Sequence, residues 1–130
     1  MAVKRLYVTW LMAAALAMPV LGFAHHSTAA FDMEHPVMLT GTIKNMLWAN
    51  PHSKLTLMVP NGNGSFDQWD LDGNSVASLV QEGDSPQKLK PGVKVRLRVA
   101  LRKDGTHGGQ FMKIIGIESN GRFVPPAELP

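Results

Sequence analysis

Large apolar residues occupy every second position over residues 93–101, and this alternation restricts the fold more than any other feature of the chain. The apolar positions are Val93, Val95, Leu97, Val99 and Leu101, and the residues between them are Lys94, Arg96, Arg98 and Ala100. A period of two residues is that of a β-strand with one face on a core and the other in solvent. A helix does not match this pattern, because its side chains repeat every 3.6 residues. The segment therefore predicts a strand that packs on one side only.

Four more segments are predicted to be strands. Alternation over residues 37–43 continues with a phase slip, so that Met46 and Trp48 would face inward, as a β-bulge allows. Asn50 and Pro51 end this strand. The remaining predicted strands are residues 55–59, 66–71 and 110–118, which are separated by turn-forming Gly, Pro, Asn or Asp residues.

One segment has helical spacing instead. Apolar residues recur at this spacing over residues 76–80, Asn74 or Ser75 can cap the start, and Gly83 can end the helix. Three strands, a short helix and two strands predict a mostly β fold. We expect a small five-stranded OB-like Greek-key barrel with one short helix between strands 3 and 4. A five-stranded sandwich would leave a similar pattern, and that alternative stays open.

The N-terminus has the three parts of a bacterial secretory signal peptide. Lys4 and Arg5 precede the uncharged residues 6–21, and small residues stand before the bond between Ala24 and His25, where cleavage is predicted. The alternative is an uncleaved membrane anchor. The apolar run is shorter than the roughly 20 residues that a spanning helix needs, and it contains a proline. We therefore expect a periplasmic or secreted protein with no stable membrane insertion after cleavage.

The expected organisation is a signal peptide over residues 1–24, an N-terminal segment over 25–35, the OB-like domain over 36–123 and a loose proline-rich tail over 124–130. Cleavage removes two of the 13 basic residues and lowers the formal net charge from +3 to +1. A near-neutral domain is a poor candidate for nucleic-acid binding, which needs clustered positive charge, so we expect no nucleic-acid partner. The chain contains no cysteine, which excludes disulfides and a lipidated N-terminal cysteine.

Short motifs are distributed across most of the predicted mature chain. They are His25-His26-Ser27, Leu39-Thr40-Gly41-Thr42, Trp48-Ala49-Asn50-Pro51-His52, Leu89-Lys90-Pro91-Gly92, Arg102-Lys103-Asp104-Gly105 and Gly121-Arg122. In these motifs the chain resembles a family of small exported bacterial proteins of unknown function. The His-His-Ser start and the W-x-N-P-H element are the most specific parts. The resemblance supports the expected fold and compartment, and it implies no particular activity.

The five histidines are the only concentrated chemical signal, and all of them lie in the predicted mature chain. Cleavage would make His25 the first residue, so that its terminal amine and imidazole could chelate one metal ion together. His26 or His52 could supply a third nitrogen, and three nitrogens suit Cu(II). The amine and the imidazoles must then be deprotonated. The alternative is a solvated terminus. The thioethers of Met33, Met38 and Met46 would suit Cu(I). The alternative is that these methionines fill the core, as methionines more often do.

Trp48, Asn50 and His52 stand in one motif and form a second candidate site. Pro51 restricts the backbone before His52, so the imidazole would point in a defined direction, as a metal ligand or a hydrogen-bond donor. Trp48 and Asn50 are candidates for a ligand-binding face, because OB-folds bind ligands on one face. A structural histidine in a tight turn and a tryptophan in the core are the alternatives, and both stay open.

Other polar and aromatic residues are interpreted as structural or solvated. Trp69 is expected in the core and His107 at a solvated hairpin tip. His35, before the first strand, has no assigned role. The basic side of residues 93–101 would suit an anionic ligand or a membrane surface, but an ordinary solvated face explains it as well.

Enzyme signatures are absent from the sequence: it has no cysteine nucleophile, G-x-S-x-G element, phosphate-binding glycine loop or H-E-x-x-H motif. We therefore expect a non-catalytic exported binding module whose ligand is a transition metal, copper first. One alternative is an OB-like module that binds a periplasmic partner protein or a small anion, with incidental histidines. Another is a copper-dependent redox enzyme that uses the same His25 site.

Overall fold

A computed structural model describes residues 26–130, and the side chains from Thr28 onward. In chain order the elements are α1 (His26–Ala29), β1 (Val37–Leu47), β2 (Lys54–Pro60), β3 (Phe66–Asp72), α2 (Val76–Gln81), β4 (Lys94–Leu101), β5 (Gly108–Ser119), β6 (Arg122–Val124) and a 3-10 helix (Pro126–Glu128). The predicted signal peptide and His25 lie outside the described residues. Among the described helices, α1, α2 and the 3-10 helix, none has the length and apolar character to cross a membrane.

The strands form one sheet in the order β3-β2-β1-β4-β5-β6, in which neighbouring strands are antiparallel. Strand β3 also pairs in parallel with β5, through residues 70–72 and 108–110. The mostly β prediction is therefore confirmed, as is the short helix that follows the first three strands. The predicted total of five strands was one too few.

The alternation has the predicted structural effect as far as Val99, whereas Ala100, on the side predicted to face solvent, is buried as well. Val95, Leu97 and Val99 are fully buried, whereas Lys94 and Arg96 are exposed. The buried side chains pack with apolar residues of the other strands and of α2 in one core. Burying them stabilises the fold by roughly 1.5–3 kcal/mol for each large apolar side chain.

The bulge in β1 and the limits of α2 also follow the sequence. The pairing register of β1 with β2 shifts between Ile43 and Asn45, and Met46 and Trp48 then pack against the core. Helix α2 starts after Ser75, whose hydroxyl accepts a hydrogen bond from the Ser78 amide. These predictions are confirmed.

The C-terminal residues differ from the expectation. Asn120 and Gly121, both with positive φ, form the tight turn that leads into β6. Beyond it Pro126 is buried, its carbonyl accepts a 2.8 Å hydrogen bond from Lys88 Nζ, and Leu129 packs against the core. The expected loose tail was wrong, because these apolar residues cover the end of the core beside α2.

The segment before β1 is joined to the same sheet. Phe31 is 9% exposed and forms a β-bridge with Arg102, just after β4. The Asp32 amide donates to the Leu101 carbonyl, and the Lys103 amide donates to the Ala30 carbonyl. Residues 30–32 therefore extend the sheet at the end of β4, which places α1 beside the loops at that end.

Candidate functional site

The loop between β1 and β2 carries the Trp48-Ala49-Asn50-Pro51-His52 motif and is joined to the segment after β3. The Ser53 amide donates to the Asn74 carbonyl at 3.0 Å, and the Gly73 amide donates to the Ser53 carbonyl at 2.7 Å. Ser53 is fully buried, and its hydroxyl donates to the Ala49 carbonyl. These bonds hold the motif against the start of α2.

Asn50 has a structural role that the sequence did not indicate. Its side-chain oxygen accepts a 3.0 Å hydrogen bond from the Val76 amide, which is one of the first-turn donors that a helix leaves unsatisfied. Asn50 thus caps α2 from a distant loop. Trp48, the other candidate for a ligand-binding face, is half-buried and packs against the core.

His52 is exposed, and its imidazole is held in one orientation. Its Nδ1 lies 3.0 Å from the Gly73 carbonyl oxygen. A carbonyl only accepts, so Nδ1 carries the proton and donates this bond. In the neutral ring Nε2 then has a free lone pair. Proteins fix ligand histidines in this way, through a second-shell hydrogen bond from the other ring nitrogen.

His52 lines a cleft of about 620 Å³. Residues from the N-terminal segment, the motif loop, β2, β3 and β5 form its wall: Thr28, Ala30, Phe31, Ala49, Asn50, Pro51, His52, Lys54, Asp72 and Gln110. Lys54 Nζ and Asp72 Oδ1 form a 2.9 Å ion pair within this wall. Apolar side chains from the N-terminal segment and the motif loop supply much of the remaining surface. The cleft thus combines apolar contacts, one oriented imidazole and a charged pair.

The predicted metal ligands are only partly covered by the described residues. His25 lies outside them, and the side chain of His26 is likewise not described. From Thr28 onward, no three His, Asp or Glu side chains come together in a group that could hold a metal ion. His35 lies elsewhere, with its Nδ1 3.1 Å from Asp32 Oδ1 on an exposed surface.

The predicted thioether ligands do not gather around His52. Met33 and Met38 are 36% and 50% exposed, so the core role that methionines commonly have does not apply to them. Met46 does pack against the core. None of the three lines the cleft that contains His52.

His107 is not a free hairpin tip. Its ring stacks on that of Trp69, with the centroids 4.7 Å apart and the planes 14° from parallel. The His107 carbonyl accepts from the Asp70 amide, and its Nδ1 lies 3.9 Å from Asp67 Oδ2. Trp69 packs against the core on its other side, as expected, and remains half-exposed. The stack therefore covers the place where β3 approaches β5.

Asp84 is a buried acid that no sequence signal distinguished from exposed ones. It is 3% exposed, and neither carboxylate oxygen has a hydrogen-bond partner among the described residues. Burial, with a smaller contribution from Glu82, raises the pKa of Asp84 from 3.8 to about 6, while Lys88 and Lys113 act in the opposite direction. Asp84 lies outside the wall of the His52 cleft.

Comparisons with known proteins give a family but no activity. The fold is similar to the crystal structure of a small single-stranded DNA binding protein from Mycoplasma pneumoniae, with 18% identity and a TM-score of 0.42 over 71% of this chain and 93% of that chain. No curated protein matches the sequence. A family model matches residues 13–111, which is most of the chain. The chain therefore belongs to the family of unknown function DUF6152.

Proposed function

We propose that this protein is an exported, non-catalytic binding module that holds Cu(II) in the cleft beside His52. The observation that carries the proposal is the hydrogen bond from His52 Nδ1 to the Gly73 carbonyl, which leaves Nε2 as an oriented nitrogen donor. The proposal includes the export signal, because the complete site needs the amine that cleavage would create at His25.

The second support is the position of the N-terminal segment. Thr28 and Ala30 line the same cleft as His52, and residues 30–32 are hydrogen-bonded to the end of the sheet. His25 stands three residues before Thr28. In this proposal the His25 amine and imidazole chelate the ion, and His52 Nε2 or the His26 imidazole completes a three-nitrogen set, which suits Cu(II).

The proposed scaffold is an OB-like Greek-key barrel. Strand β3 pairs with β2 on one side and with β5 on the other, so the strands β1, β2, β3, β5 and β4 form a closed series of neighbours. Helix α2 lies between β3 and β4 in the chain, where OB-folds carry a helix. This closure supports the finer assignment, in which the N-terminal segment and the motif loop lie at one end of the barrel.

A second candidate is binding of a small anion or a partner peptide in the same cleft. Lys54 and Gln110 provide polar contacts there, and Ala49, Pro51 and Phe31 provide apolar ones. In this case the histidines are incidental. The two candidates differ in their need for a free amine at His25.

The test is a competitive Cu(II) titration of protein recovered from the periplasm after expression of the full chain. Mass spectrometry first identifies the N-terminal residue. His52→Asn is the informative variant, because the asparagine amide can take the place of Nδ1 toward Gly73 but has no counterpart of Nε2. We expect one tight Cu(II) per chain in the wild-type protein. If His52 Nε2 supplies the third nitrogen, the variant should bind about tenfold or more weakly, since even a lost second-shell partner costs roughly 10–100-fold.

Two further proteins complete the design. An alanine inserted between Ala24 and His25 moves the free amine away from the His25 imidazole and should also weaken binding. His35→Asn replaces an exposed histidine outside the cleft and should bind like the wild-type protein. Equal, weak binding by all four proteins would refute the copper site and favour the second candidate. An uncleaved N-terminus would refute the export step.

A further inference from the structure

A second surface lies on the outer side of β4 and its two neighbours. Arg98 stands opposite Met38 of β1 on one side and opposite Lys113 of β5 on the other. Arg96 stands opposite Thr40 and Gly116 in the same way. We call the outward side chains of Lys94, Arg96, Arg98 and Lys113 the basic face.

Two of the four cations are held by contacts within the protein. Lys94 Nζ lies 3.7 Å from Glu118 Oε1. The Arg96 guanidinium lies 4.4 Å from the centroid of the Phe123 ring, and its Nε donates to the Thr40 hydroxyl at 3.4 Å. The absence of a side chain at Gly116 makes this packing possible, because a Cβ there would come within 2.8 Å of Phe123.

The other two cations form a like-charge pair. Arg98 and Lys113 are cross-strand neighbours, and from Thr28 onward no carboxylate lies within 4.0 Å of either one. Glu82 lines a shallow cleft with Lys113, and the buried Asp84 attracts Lys113, but neither acid is at ion-pair distance. Like charges directly opposite each other destabilise a sheet. An external anion would relieve this repulsion.

Exposed apolar side chains flank the same pair. Met38, opposite Arg98, is 50% exposed, and Ile115, two residues after Lys113, is 38% exposed. Cations beside exposed apolar groups are the combination that binds the headgroup region of an anionic bilayer. Single-stranded nucleic acid instead needs free aromatic faces for stacking, and on this face the Phe123 ring is already covered by Arg96.

We propose that the basic face docks the protein on a bilayer surface that contains anionic phospholipid, with Arg98 and Lys113 at the phosphate groups and with Met38 and Ile115 against the lipid. The proposal does not depend on copper binding, because the residues of the basic face do not line the cleft beside His52. Docking in this way requires no insertion of a helix.

The test is co-sedimentation of the same processed protein with vesicles of phosphatidylcholine, alone or mixed with an equal part of phosphatidylglycerol. We expect binding only to the mixed vesicles. Each basic residue near an anionic surface contributes about 1 kcal/mol, so the double variant Arg98→Gln/Lys113→Gln should bind about 30-fold more weakly. Met38→Ser, a separate variant that changes an exposed apolar side chain and no charge, should also bind the mixed vesicles more weakly than the wild-type protein.

The control is Lys90→Gln/Lys103→Gln, which has the same net charge and changes exposed residues in the turns at either end of β4. It should bind like the wild-type protein. An equal loss in this control would overturn the proposal, because net charge alone would then explain binding. Displacement by inorganic phosphate at constant ionic strength would also overturn it, and so would binding of a single-stranded oligonucleotide without binding of vesicles.

Discussion

Replacing Asp84 by asparagine should raise the stability of the protein at neutral pH and remove a pH dependence from the wild-type protein. The Asp84 carboxylate is buried and has no hydrogen-bond partner among the described residues. Burial and then Glu82 raise its pKa from 3.8 to about 6, against the opposing effect of Lys88 and Lys113. One pKa unit corresponds to about 1.4 kcal/mol, so ionised Asp84 lowers the free energy of unfolding by about 3 kcal/mol.

The direction of the pH dependence follows from the raised pKa. Because protonated Asp84 is favoured in the folded state, its stabilising contribution is complete below about pH 4 and is lost as the pH rises through about 6. Asparagine carries no charge at any of these pH values. Its amide donors need partners in the same buried place, which reduces the expected gain at neutral pH to about 1–2 kcal/mol. At about pH 4 the variant should be no more stable than the wild-type protein.

The assay is urea unfolding followed by tryptophan fluorescence over a series of pH values between about 4 and 8. Glu128→Gln, which changes an exposed acid of the 3-10 helix, is the matched control and should follow the wild-type pH profile. The difference in unfolding free energy between Asp84→Asn and the wild-type protein should change by about 2–3 kcal/mol across the series. A difference that stays constant with pH would refute the reasoning.

Three further substitutions test the contacts around the candidate site. Asn50→Ala removes the cap on the first turn of α2 and should cost about 1 kcal/mol of stability, measured by urea unfolding; an unchanged midpoint would contradict the capping role. Gly73→Ala should cost more, about 2 kcal/mol or above, because a Cβ there overlaps the buried Phe111 ring; thermal unfolding would show it, and an unchanged melting temperature would contradict it. His107→Ala should lower the free energy of unfolding by about 0.5–1.5 kcal/mol, because the stacking on Trp69 is lost. It should leave Cu(II) binding unchanged, and a loss of copper affinity would contradict the proposed site beside His52.

The local elements were predictable from the sequence because their signals are local. Large apolar residues at every second position over residues 93–101 share one face of a strand, whichever strands lie beside it. The Ser75 cap and the bulge in β1 were likewise predictable from residues that are close together in the chain. Strand β6 also had a local signal, the Asn120-Gly121 pair that favours a tight hairpin turn, and it could have been predicted from that pair.

The candidate site was predictable only as a set of residues. The sequence indicated His52 as an oriented side chain, but its partner Gly73 lies 21 positions away in the chain, and only the pairing of β2 with β3 brings the two together. The same holds for Asn50, whose bond to Val76 spans 26 positions. Both contacts depend on which residues of neighbouring strands are paired, and no local sequence pattern encodes this register.

The sequence by itself determined a mostly β chain, with strands β1 to β5, the helix between β3 and β4 and the candidate residues, because side-chain periodicity and turn chemistry act over a few residues. Only the tertiary structure decided which strands meet. The contact of β3 with β5, the packing of Leu129 on the core and the burial of Asp84 depend on groups far apart in the chain. Folding brings such groups together around one shared core, and short-range sequence patterns do not reveal which distant residues will be in contact.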